Sequence, residues 1–217
     1  MCKQRSAPLF SPEGMVKLFG HPLDVSCQLS EECMTSTRET YAVELAGVHR
    51  DLQLFEVKPG LRIAILNILG DTELVQACAK ALSEKMESVV YDVVVTAESK
   101  SIPLAYAISV VTRKPYVILR KAYKPYMGQA LQAETLSITT GQPQTLYLDE
   151  KDLRVLEGKR VVILDDVIST GSTLQGMRLL MQKAGAQVVA EAAILTEGER
   201  ARWADIISLG HLPVFTD

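Results

Sequence analysis

At 217 residues, with 47% hydrophobic and 23% charged residues and a formal charge of −3, the chain reads as one soluble globular domain, not a disordered or fibrous one. The slight acidity gives no electrostatic footprint for a nucleic acid, and no apolar run approaches the roughly 18 residues of a membrane span. The first residues, MCKQRSAPLF, lack the apolar core of a secretory signal, so the cytoplasm is expected, and the four cysteines, Cys2, Cys27, Cys33 and Cys78, form no CxxC pair and read as structural thiols.

Residues 1–40 mix Pro, Ser, Glu and Cys without a period and read as an N-terminal arm with one short helix near Glu13 to Phe19; residues 41–217 read as the domain. The alternation of Tyr41, Val43 and Leu45, resumed at Leu52 and Leu54 beyond Gly47, predicts a β-hairpin. Lys58-Pro59-Gly60 makes a turn before a strand-like LRIAILNIL. Asp71-Thr72-Glu73 opens a helix whose apolar face carries Leu74, Cys78, Ala81, Leu82 and Met86. A strand over 92–97 leads into Glu98-Ser99-Lys100-Ser101, and Pro103 sits in the first turn of a helix running to about Arg113. The strand PYVILR then ends at Arg120.

Residues 121 to about 137 are polar and turn-prone with no firm period, which suits either a lid over a site or a plain β excursion or dimer contact. SITTG and QTLYLDEKDL read as a hairpin. A β-branched run from Val161 to Leu164, a helix carrying Leu174, Met177, Leu180, Met181 and Ala184 with a stop at Gly185, and a strand over 188–195 complete the pattern. Strands and helices alternating in this way argue for an α/β fold: a right-handed parallel sheet flanked by helices.

The stretch VVILDDVISTGST, residues 161–173, carries the most chemistry. An apolar strand ends in Asp165 and Asp166, and a polar loop then opens a helix, the place where open parallel sheets bind ligands. Ser169-Thr170-Gly171-Ser172-Thr173 offers hydroxyls and the unpaired N–H groups of a helix start, a cradle for phosphate. The alternative for such a loop is ordinary N-capping. The two carboxylates upstream are acceptors, suited to hydroxyls, so phosphate beside a vicinal diol describes a ribose 5-phosphate. The lysine of a Walker A loop is missing, which argues against an ordinary ATPase. Lys100, and Arg120-Lys121 with Lys124, stand after two other strand ends; they are solvated charges if taken singly and a second polyanion site if they converge.

These thirteen residues closely resemble the phosphoribosyl pyrophosphate (PRPP) signature of type I phosphoribosyltransferases. From about Val57 to Gly185 the chain resembles the purine branch of that family, the adenine enzymes and their archaeal-type hypoxanthine/guanine relatives, through KPGLRIAILNILGD, TAESKSIPLA and LRKAYKP. The resemblance implies the family fold, with a small hood built from N- and C-terminal segments and a flexible β lid. It implies transfer of the 5-phosphoribosyl group of PRPP to a purine, adenine favoured, with release of pyrophosphate, in nucleotide salvage. It gives Ser169 to Thr173 the 5-phosphate, makes Asp165 and Asp166 the catalytic carboxylates facing the ribose hydroxyls, and gives pyrophosphate to Glu98, Ser99 and Lys100, assisted by Arg120, Lys121 and Lys124. It also implies Mg²⁺ held mainly through PRPP, with no protein ligand assigned, and a homodimer without nucleic-acid or membrane partners.

Three departures stand out. ESKS places Lys100 where the family usually has arginine, a point charge in place of a bidentate fork. Ala64, Ile65 and Leu66 occupy the place of an FRD-like segment, and Thr139 stands near the place of a lid glutamate, with Glu134 too far upstream to replace it. They leave open a 6-oxopurine (hypoxanthine, guanine or xanthine) as the base, and a regulator that binds PRPP without chemistry. The tail GHLPVFTD is placed to close over the base.

Overall fold

The computed structural model describes residues 38–136 and 143–216. Most of the expected arm, its helix near Glu13 to Phe19, and the segment containing Thr139 lie outside the described residues.

The described residues open with three antiparallel strands, β1 (Thr40–Leu45), β2 (Val48–Lys58) and β3 (Leu61–Ile65). The alternation seen in the sequence places Leu45, Leu52 and Leu54 inward, and Ala46 and Gly47, both with positive φ, form the turn of the first hairpin. β3 stops at Ile65, short of the run LRIAILNIL, because the chain turns there: the Leu69 N–H donates to Asn67 Oδ1 (3.3 Å) and the Asp71 N–H to the Ile68 carbonyl (3.2 Å). Helix α1 (Thr72–Lys85) follows, capped by Asp71 through the Leu74 N–H at 3.1 Å. Arg50 of β2 grips the same Asp71 carboxylate with two hydrogen bonds (2.7 and 2.9 Å), tying the small sheet to α1 and holding that carboxyl below its usual range.

β4 (Val93–Ala97), α2 (Ile102–Thr112) and β5 (Tyr116–Leu119) come next, then a single 3₁₀ turn at Pro125–Met127 and the antiparallel pair β6 (Leu131–Leu136) and β7 (Pro143–Leu148). Residues 121–137 are therefore not aperiodic throughout. Ala133, Leu146 and Leu148 are buried with Met177 and Leu180, so the stem of this hairpin is part of the core. The reading of QTLYLDEKDL as strand fails after Leu148. Asp149 accepts from the Lys151 N–H (3.1 Å) and starts α3 (Glu150–Leu156), a local cap overriding the continuation of the strand.

The last third holds β8 (Arg160–Ile168), α4 (Ser172–Lys183), β9 (Gln187–Glu197), β10 (Ile207–Leu212) and β11 (Phe215–Thr216). β8 does not stop before the aspartates, because its parallel pairing with β9 runs on through Asp165↔Ala193, Val167↔Leu195 and Ile168↔Thr196. The five parallel strands lie in the order β10-β9-β8-β4-β5, and α1 and α4 pack on opposite faces. The period of two divides their side chains. Val94, Val162, Leu164 and Ile194 join Leu74, Leu82 and Leu104 on one face; Val95, Ile163 and Ala193 join Leu174, Met177 and Leu180 on the other. The tail is not loose. β11 pairs with β3 and completes a four-stranded sheet, β1-β2-β3-β11, where the Tyr41 and Phe215 rings meet at 5.3 Å, so the expected hood of N- and C-terminal segments is present. Cys78 is a buried free thiol, as a structural role requires, and among the described residues no helix is long and apolar enough to cross a membrane.

Candidate functional site

The carboxyl ends of β4, β5, β8 and β9 open on one cavity of about 350 Å³. Eight of the residues singled out in the sequence line it: Glu98, Ser99 and Lys100 after β4, Lys121 after β5, Asp165 and Asp166 in β8, and Ser169 and Thr173 around the start of α4. Residues 63–66 of the hood and Val167 supply its apolar lining. Thr170, Gly171 and Ser172 border a recess that shares Asp165, Val167, Ser169 and Thr173 with the cavity. A larger groove of about 600 Å³ between α1 and α2 is lined mainly by apolar side chains such as Val75, Ala79 and Val110 and holds none of these strand-end groups.

The loop Ser169–Gly171 does not cap α4 in the ordinary way. The N-cap is Gly171, at φ +81°, which has no side chain to cap the helix; the Ser172 N–H meets only Thr170 Oγ1, at 3.5 Å, and the first turn with the positive end of the helix dipole borders the recess. The Thr170 and Ser172 hydroxyls lie 3.2 Å apart at its mouth. The Trp203 ring covers Gly171 so closely that a Cβ there would meet Cη2 at 2.8 Å.

Asp165 and Asp166 are organised by a residue the sequence reading passed over. Ser101, 1% exposed, donates its hydroxyl proton to Asp165 Oδ1 (2.7 Å), lies 3.1 Å from Asp166 Oδ1, and accepts from the Asp166 N–H (3.0 Å). Burial, followed by the charge of Asp166, pushes the Asp165 carboxyl well above its usual range, while the Ser101 hydrogen bond pulls it back. Lys100 Nζ reaches the Leu66 carbonyl at 3.3 Å, joining the β4 loop to the hood.

Glu98 faces its own protein. It pairs with Arg120 and accepts from the Lys121 N–H (2.9 Å), so it fixes the end of β5 relative to β4 and positions Lys121. Arg120 and Lys124 are not brought to the cavity wall. Arg120 borders a separate groove with Asp149 and Asp152, its backbone bonded to that of Tyr147, and Lys124 is exposed at the entry to the 3₁₀ turn.

Glu197, at the end of β9, is the second lining residue that sequence reasoning missed. Its signal was the one used for Asp165: a carboxylate closing an apolar strand. Ser101 left only the trace of a helix start before Ile102-Pro103.

The chain belongs to the phosphoribosyl transferase domain family, whose pattern matches residues 65–206. Over 143 residues it is 31% identical to the purine biosynthesis transcriptional repressor PurR of Bacillus subtilis (strain 168), covering 66% of this chain and 49% of that protein. Over 108 residues it is 38% identical to the hypoxanthine/guanine phosphoribosyltransferase of Methanococcus voltae, covering 50% of this chain and 54% of that one. The chain thus spans about half the length of these curated relatives. The solved structure of the adenine phosphoribosyltransferase from Thermoanaerobacter pseudethanolicus superposes with a TM-score of 0.58 at 20% identity, covering 80% of this chain and 95% of that chain, a likeness of fold.

Proposed function

We propose that the protein transfers the 5-phosphoribosyl group of PRPP to a purine base, adenine favoured, and releases pyrophosphate. The observation that carries this reading is convergence. A helix start with a glycine N-cap, two adjacent carboxylates and two lysines, from three strand ends, border one cavity and its adjoining recess, and each matches a different part of PRPP. In this reading the Ser169–Thr173 loop takes the 5-phosphate, and Asp165 and Asp166 face the ribose hydroxyls. Lys100 and Lys121 face the pyrophosphate with Ser99, while Glu98 and Arg120 brace the loops and Lys124 adds positive charge at the rim.

Catalysis is positional and electrostatic. As the bond from the ribose carbon to pyrophosphate breaks, positive charge develops on the ribose beside Asp166, and negative charge on the leaving group beside the lysines. Among the described residues no group of three or more His, Cys, Asp or Glu is arranged to hold a metal ion. The cation of this reading is Mg²⁺ held mainly through PRPP oxygens, since Mg²⁺ typically keeps waters and is bound through substrate phosphates. Bound in that way, Mg²⁺ would supply neutralisation of the pyrophosphate charge. The reading includes a cytoplasmic homodimer, on family resemblance.

A second reading has a specific observation behind it. The relative named as a transcriptional repressor, together with Lys100 in place of the usual arginine, supports a PRPP-binding regulator without chemistry. The hypoxanthine/guanine relatives support a 6-oxopurine substrate, and the adenine enzymes among the solved structures support adenine. Pyrophosphate release from PRPP and Mg²⁺, with adenine, hypoxanthine, guanine and xanthine offered separately, decides among them. Release is expected with adenine, and Asp166→Asn should lower it by about 10²-fold or more. Silence with all four bases, alongside calorimetric binding of PRPP, would replace the transferase with the regulator.

A further inference from the structure

We propose that Glu197 is the specificity-determining residue for the base, pairing its carboxyl group with N7 and the 6-amino group of adenine. The inference rests on the PRPP-site reading above and identifies which purine that site takes.

Glu197 is 8% exposed and lines the cavity shared by Asp165, Asp166 and Ser169. Among the described residues its carboxyl group has no hydrogen-bond or ion-pair partner. The backbone around it is clamped from both sides: Trp203 Nε1 donates to the Glu197 carbonyl (2.9 Å), and the His211 ring joins Thr196 Oγ1 to the Gly198 carbonyl at 2.9 Å on each side. Its oxygens open to the cavity, so the carboxyl group of an otherwise buried side chain is available to a ligand and not to its own protein. Such a group at the wall of a ligand cavity is explained when the ligand supplies the partner.

The other parts of PRPP are already matched. A carboxyl group is unsuited to phosphate, and the ribose hydroxyls have Asp165 and Asp166, so the base is what remains. The apolar lining from Ile63, Ile65, Leu66 and Val167 suits a flat aromatic ring. β9 pairs with β8 up to Ile168↔Thr196, so Glu197 stands one step further, beside Ser169 at the start of the phosphate loop. In an anti nucleotide the C8–N7 edge of the purine lies on the side of the 5′-phosphate, and that edge therefore faces Glu197.

The chemistry then selects the base. Burial pushes the Glu197 carboxyl upward, towards its neutral form. In the proposed pairing the carboxyl group carries its proton against N7, and so gives one O–H donor and one carbonyl acceptor. Adenine offers the complement on this edge, N7 as acceptor and the 6-amino group as donor. A 6-oxopurine offers two acceptors there, N7 and O6, and leaves the carboxyl oxygen facing a lone pair.

The test is calorimetric binding of AMP, IMP and ribose 5-phosphate to the wild type, Glu197→Leu and Glu197→Gln, with folding checked by thermal melting. Wild type should bind AMP at least tenfold more tightly than IMP. E197L should lose tenfold or more for AMP and bind ribose 5-phosphate within about twofold of wild type. E197Q, whose amide keeps one donor and one acceptor, should hold the AMP preference within about threefold. An IMP preference in wild type, unchanged AMP binding in E197L, an equal loss for ribose 5-phosphate, or an E197Q as impaired as E197L would each overturn the inference. Because no turnover is involved, the two readings separate. A Glu197-dependent AMP preference without pyrophosphate release from any base removes the transferase and keeps this inference; pyrophosphate release with unchanged AMP binding in E197L does the reverse.

Discussion

Gly171→Ala asks the phosphate loop to accept one methyl group, and two features of the fold oppose it. Gly171 sits at φ +81°, where an L-residue costs about 1–2 kcal/mol. The new Cβ would also lie 2.8 Å from Trp203 Cη2, inside van der Waals contact. The indole cannot retreat freely, because its Nε1 donates to the Glu197 carbonyl at 2.9 Å; displacing it forfeits a hydrogen bond worth about 1 kcal/mol. Together these come to about 2–3 kcal/mol, or a fall in Tm of about 4–12 °C for a domain of this size. Thermal melting of wild type, G171A, W203A and the double variant measures both parts. Without the indole only the backbone part remains, so G171A should cost about 1 kcal/mol less in the W203A background. A G171A that melts within 2 °C of wild type, or costs the same with and without Trp203, would refute this account of the loop.

Two further substitutions address the aspartate pair. Ser101→Ala removes the hydroxyl that donates to Asp165 and accepts from the Asp166 N–H. A hydrogen bond to a charged group is worth about 1.5–3 kcal/mol, so kcat/KM for PRPP should fall by roughly tenfold to a hundredfold. Its acid limb should move to higher pH, since this bond holds the Asp165 carboxyl down; an unmoved profile would show that Ser101 does not tune the pair. Asp165→Asn tests the pair's effect on stability. The folded-state pKa of Asp165 lies above its unfolded value near 4, so the native state holds a proton that the unfolded state gives up, and stability is lost as pH rises from about 4 through the raised value. The asparagine variant has no such loss and should gain on the order of 2 kcal/mol over wild type between pH 4 and 8; parallel melting curves across that range would contradict the assignment.

Much of this protein was legible in short segments. Val93 to Ala97 and Val161 to Leu164 are apolar on both faces because they are central strands, and Leu174, Met177 and Leu180 recur at helical spacing because α4 buries one face. The phosphate loop was readable because its chemistry, a glycine, hydroxyls and backbone N–H groups, is contiguous. The hood hairpin followed from alternation across Gly47. What was misjudged locally came from competing signals: Asp149 ends β7 and starts α3, and the aspartates that resemble a strand end lie within a strand because β9 continues to pair with them.

Other features depended on strand order and could not be read from spacing. Ser101 meets Asp165 across 64 residues because β4 and β8 are neighbours in the sheet, and Glu98 reaches Arg120 and Lys121 because β5 lies on the other side of β4. β11 closes the hood by pairing with β3, about 150 residues earlier in the chain. Glu197 illustrates the division most clearly. By itself the sequence determined a carboxylate after an apolar run; that it is buried, lacks a partner and shares a cavity with the aspartates was decided by the packing of β9 beside β8. Periods of two and 3.6 are properties of neighbouring residues and are written along the chain. Burial and long-range pairing are properties of which surfaces meet, and only the folded sheet determines them.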